Sequence, residues 1–128
     1  MFKERLKYFL MLIAPALLFL SFKIYLYHSF IITAFSLNSL IILALSPIAE
    51  ELFFRGVLLE FLLQKRLKSL TANILVSLLF TVLHLVIRDD LFYGLVFFPS
   101  LILGWHYCKF RAMLPVVIAH SAYNFSIY

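Results

Sequence analysis

Glu50, Glu51, Arg55, Glu60, His84 and His120 are ionisable side chains set inside long apolar runs. In a bilayer each costs roughly 2.5–3.5 kcal/mol to insert, so each needs a partner or a function. Glu51 and Arg55 are four residues apart on a helix, with the acid on the N-terminal side, the better order for pairing. Glu50 lies about 100° round the same helix, so that pairing does not consume it. A carboxylate held in this way is a candidate general base.

The histidines repeat the spacing. Phe80 and His84 are i and i+4, so the ring can pack beneath the imidazole and limit its rotamers. His120 and Asn124 present two polar groups from one face of the last segment. A lone histidine in an apolar helix ordinarily packs, and only its company argues for more. His106, between Trp105 and Tyr107, reads as interfacial, and Glu60 is given no chemistry. Helical rise puts Glu50 about 22 Å from Lys65, His84 about 24 Å from Lys68, and Asn124 about 20 Å from Arg111. His120 is shallower, at about 14 Å. Three helices thus offer polar groups at similar depths.

Hydrolysis of a peptide bond inside a membrane needs an activated nucleophile, a proton acceptor and donors for the developing oxyanion. No H-E-x-x-H zinc motif is present, since Leu85 and Val86 follow His84. Asp89 and Asp90 are adjacent rather than opposed, and no G-x-S triplet presents a serine. Cys108 sits beside Lys109, far along its helix from any base. A carboxylate, two histidines and an amide remain, a set suited to activating water.

The elements that must position these groups follow from composition. Of 128 residues, 65% are hydrophobic and only 13% charged, and the mean hydropathy is +1.05. A soluble domain of this size needs far more polar surface. The net charge of +5 comes from basic residues flanking apolar runs, which reflects membrane topology and not nucleic-acid binding. One cysteine excludes an intramolecular disulfide. Apolar segments are expected at Tyr8–Phe22, Ser29–Gln64, Leu70–Ile87, Leu91–Tyr107 and from Ala112 onward, with a linker carrying Lys23 and His28. The first is expected to remain as an anchor and not be cleaved as a signal peptide. Ser29–Gln64 would stretch to about 54 Å against a hydrocarbon core of about 30 Å. A break is therefore expected at Ser46-Pro47, with Ser46 as N-cap and Pro47 opening a new helix. The reading is an all-α polytopic bundle in one membrane domain, residues 1–128, with about five crossings. The Lys and Arg bias places the N-terminus in the cytoplasm and the C-terminus outside.

Three motifs in order make a resemblance specific. Glu50-Glu51-Leu52-Phe53-Phe54-Arg55-Gly56 fits E-E-x-x-F-R-G, Phe80 to His84 fits F-x-x-x-H, and His120 to Asn124 fits H-x-x-x-N. From residue 39 to 128 the chain resembles the CAAX protease and bacteriocin-processing (Abi) family of glutamate-dependent intramembrane peptidases, which includes the type II CAAX prenyl endopeptidases. The resemblance implies that Glu50 activates the hydrolytic water with help from His84. It implies that His120 and Asn124 stabilise the oxyanion, while Glu51, Arg55 and Phe80 support the site. The expected partners are a membrane-associated peptide or protein substrate and the lipid bilayer, with no nucleic acid. No cofactor is expected, although histidines and glutamates could also hold zinc. A compact chain without an organelle address points to a bacterial source. Two other readings use the same residues: a non-catalytic immunity or scaffold member of this family, and a small proton-coupled transporter.

Overall fold

A computed structural model describes residues 2–27 and 37–127, and every regular element among them is helical. They form α1 (Phe2–Tyr27), α2 (Leu37–Gln64), α3 (Ser69–Arg88), α4 (Phe97–Phe110) and α5 (Met113–Ile127). A 3-10 stretch, Leu91–Val96, leads into α4. Four helical segments are long and apolar enough to cross a bilayer: Lys3–Phe22, Leu37–Gln64, Ser69–Arg88 and Leu91–Phe110. Met113–Ile127 is a shorter apolar helix. The chain is a multi-pass, all-α membrane protein.

Its solvent is visible in which residues face out. Leu91, Ile87, Val86, Leu37 and Leu18 are among the most exposed large side chains, whereas Glu51, Arg55, Asn73, Ser77 and Ser100 are buried. Lipid leaves no hydrophobic gain between helices, so packing and interhelical hydrogen bonds hold them instead.

Two departures from the sequence expectation concern helix ends. The segment expected to stop at Phe22 continues helically to Tyr27, so Lys23 lies in α1 and not in a linker. Backbone groups near a membrane interface are best satisfied by carrying the helix on. His28 and residues 29–36 of the expected second span lie outside the described residues. Just before Pro47 the helix passes through a π-helical turn, Ile41–Leu45, and continues with no new start. Ser46 is itself helical, with φ −61° and ψ −51°, so it is no N-cap.

Local chemistry accounts for the turn. The Ser46 N–H bonds to the carbonyl of Ile41, five residues back. Continuing that pattern would need an N–H from Pro47 for Ile42, and proline has none. The Ile42 carbonyl takes its hydrogen bond from Asn124 Nδ2 at 3.0 Å instead. A side chain on α5 thus completes the hydrogen bonding that lets α2 run through its proline. A second π-helical stretch, Leu52–Leu59, follows the two glutamates.

Contacts divide the chain into two compact units, Met1–Glu50 with Leu114–Tyr128, and Glu51–Met113. In the first, Leu12, Ala16, Val116 and Ala119 are buried, and Tyr123 donates its hydroxyl to the Leu12 carbonyl at 2.7 Å. In the second, α3 packs on α4 around Gly104. A Cβ at that position would come within 1.8 Å of Asn73 Oδ1. Asn73 is held by its own bond to the Leu101 carbonyl, 2.9 Å, and cannot swing aside cheaply. Gly104→Ala should therefore destabilise the protein by roughly 1–3 kcal/mol, the usual cost of overpacking. Thermal unfolding in detergent measures it, and an unchanged midpoint would mean that α3 and α4 separate freely.

Loop geometry accounts for the other polar interruptions. Asp89 ends α3 in the left-handed conformation, φ 48°, and Asp90 Oδ1 accepts from the Phe92 N–H at 2.9 Å. Glu60 pairs with Arg111, at the far end of α4. His106, expected at the interface, is 2% exposed and packs against Phe110 with ring centroids 4.8 Å apart. The helix turns it inward while Trp105 faces out.

Candidate active site

The two consecutive glutamates belong to different units, and each is handled by its own neighbours. Ser46, one helical turn before Glu50, donates its hydroxyl to Glu50 Oε1. The other carboxylate oxygen, Oε2, lies 3.7 Å from His120 Nε2. Glu50 is half-buried and His120 buried, at 24% and 9% side-chain exposure. A carboxylate between a hydroxyl donor and an imidazole, with part of its surface open, can take a proton and pass it on. Asn124 follows His120 by one turn and holds the Ile42 carbonyl through Nδ2. An amide nitrogen carries two hydrogens, so one N–H remains to be directed elsewhere. The first unit thus brings Ser46, Glu50, His120 and Asn124 together through α2 and α5.

The second unit holds Glu51, Arg55, Phe80 and His84. Arg55 Nη1 pairs with Glu51 Oε1 at 3.1 Å, with both side chains wholly buried. The other arm of the guanidinium, Nη2, donates to the Ser100 carbonyl and hydroxyl at 2.9 and 2.8 Å. Ser100 Oγ donates to Ser77 Oγ at 3.2 Å, and Ser77 in turn reaches Asn73 Oδ1 at 3.4 Å. This planar fork serves a carboxylate and a helix backbone at once, which a lysine ammonium does not reproduce. Arg55 also lies over the Phe80 ring, 5.3 Å from its centroid.

Phe80 carries the contact onward to His84, with ring centroids 4.1 Å apart and planes inclined by 32°. His84 Nδ1 is 2.9 Å from the Phe80 carbonyl. A carbonyl can only accept, so Nδ1 bears the hydrogen. His84 is half-buried.

Ser46 as a partner of Glu50, and Ser77, Ser100 and Asn73 behind Arg55, are absent from the sequence reading. A signal existed for some of them. Ser46 and Glu50 stand at i and i+4, as do Asn73, Ser77 and Thr81 along α3. Ser100 offers none, being 45 residues from Arg55 in sequence. Among the described residues, no three His, Cys, Asp or Glu side chains gather as a metal-binding group.

In a comparison with known families, the model described as "Type II CAAX prenyl endopeptidase Rce1-like" matches residues 32–126. No curated protein and no solved structure matches the chain.

Proposed function

Since this chain belongs to the Rce1-like family of type II CAAX prenyl endopeptidases, we propose that it is an intramembrane endopeptidase in which Glu50 activates water. The observation that carries this reading is the setting of Glu50, with Ser46 on one oxygen and His120 near the other. In the first step the water oxygen bonds to the scissile carbonyl carbon as Glu50 takes the water's proton. The carbonyl oxygen becomes an oxyanion, for which His120 and the second N–H of Asn124 serve as donors. Collapse of the tetrahedral intermediate breaks the C–N bond, and the proton on Glu50 goes to the leaving amine. From the family motif, His84 is assigned to assist Glu50. Glu51, Arg55 and Phe80 support the site and take no part in proton transfer. The substrate is a membrane-associated peptide or protein.

The test is a survey of new chain termini among membrane proteins of cells with and without the protein. A set of termini that depends on its expression is the expected result, and its complete absence in a host offering the natural substrate would overturn the peptidase reading. His84→Ala and Asn124→Ala should each lower kcat by about 10²–10³-fold, the scale of a lost oxyanion donor. A variant as active as wild type would remove that residue from the mechanism. With Glu50 as the base, no metal is required. Purified protein should therefore keep its activity in strong chelator, whereas loss on chelation and recovery with added zinc would place the chemistry on a metal-bound water.

A further inference from the structure

A groove of about 550 Å³ lies along the first turns of α3 and the last turns of α4, lined by Ser69, Asn73, Leu101, Ile102, Trp105 and Cys108. Its volume falls within the roughly 300–1,000 Å³ range of small-molecule sites, but its walls are mostly apolar. The polar atoms of Asn73 are engaged with the Leu101 carbonyl and Ser77. No convergent set of polar groups is left to orient a polar ligand, so the walls suit a hydrocarbon chain.

Charge is concentrated where the chain enters and leaves the groove. Lys68 immediately precedes Ser69, and Lys109 immediately follows Cys108. The Lys109 ammonium sits 5.2 Å from the centroid of the Trp105 ring, itself part of the groove wall. Lys65 and Arg66 add two further exposed cations, and residues 64–73 and 101–111 contain no Asp or Glu. Glu60 pairs with Arg111, leaving the sign of the patch positive. Leu70, Ile102 and Trp105 are exposed, so the groove is open on the face that meets lipid.

We propose that this groove binds a phospholipid with an anionic headgroup, its acyl chain along Trp105, Leu101 and Ile102 and its phosphate against Lys68 and Lys109. Basic residues near a membrane surface each favour an anionic lipid by roughly fivefold. An apolar slot beside several of them fixes one such lipid where a flat helical face would not.

Trp105 is the only tryptophan of the chain, so its fluorescence reports on the groove in the intact protein. In nanodiscs of phosphatidylcholine carrying a minor share of acyl-brominated lipid, brominated phosphatidylglycerol should quench Trp105 at a several-fold lower mole fraction than brominated phosphatidylcholine. Lys68→Gln with Lys109→Gln should bring the two lipids together, while quenching by brominated phosphatidylcholine stays at the wild-type value. Ser69→Phe, which fills the groove and leaves the cations in place, should also abolish the preference. Equal quenching by both lipids in the wild-type protein would overturn the proposal. So would a preference that survives Ser69→Phe, since the cations would then be attracting lipid to the helix surface alone.

Discussion

Glu50→Gln should abolish cleavage while leaving the protein folded. Glutamine keeps the shape of the side chain, and its amide oxygen can still accept the Ser46 hydroxyl that Glu50 receives. It cannot take a proton from water at neutral pH. Losing a general base typically costs about 10²–10⁴-fold. Folding should be spared because the Ser46 hydrogen bond survives the substitution, and His120, 3.7 Å away, is a side chain whose charge is not permanent. The measurement pairs product formation with thermal unfolding in detergent. Full activity in the folded variant would remove Glu50 from the mechanism, whereas its failure to fold would make Glu50 a structural residue.

Arg55→Ala should do the opposite, destabilising the protein first and losing activity as a consequence. The substitution removes an ion-pair partner of Glu51, a carboxylate with no exposed surface, and two hydrogen bonds to Ser100. Breaking a buried pair on one side costs about 3–5 kcal/mol, a large part of the stability of a small protein. Removing both charges together should cost less, so Glu51→Gln with Arg55→Met should recover much of the loss. Ser100 can still donate to Ser77 in that variant, and a Met side chain can occupy the space beside Phe80. Unfolding midpoints of the single and double variants decide the matter. If Arg55→Ala melts like wild type yet is inactive, Arg55 acts in binding or chemistry, and its assignment to structure fails.

Much of the molecule can be read from residue order because helices make near neighbours predictable. The low charge content and the apolar segments dictate an all-α membrane protein, since lipid satisfies no backbone group and the chain must do so itself. Glu51 with Arg55 and Phe80 with His84 are adjacent on any α-helix, whatever the rest of the chain does. The three ordered motifs point to the family for the same reason, being short and local.

Tertiary structure decided whatever depended on a distant partner. Pro47 removes an N–H in any fold, but whether α2 then stops or bends through a π turn depends on a donor for the Ile42 carbonyl. Asn124, 82 residues away, supplies it. With the helix continuous, Ser46 faces Glu50 and does not cap a new start. The second arm of Arg55 likewise finds Ser100 only because α4 packs on α3, and that packing rests on the missing side chain of Gly104. Sequence fixes which groups need hydrogen-bond partners and which lie within a helical turn. Only the packed chain supplies partners from farther away, because they come from whichever helix surface happens to face the unsatisfied group.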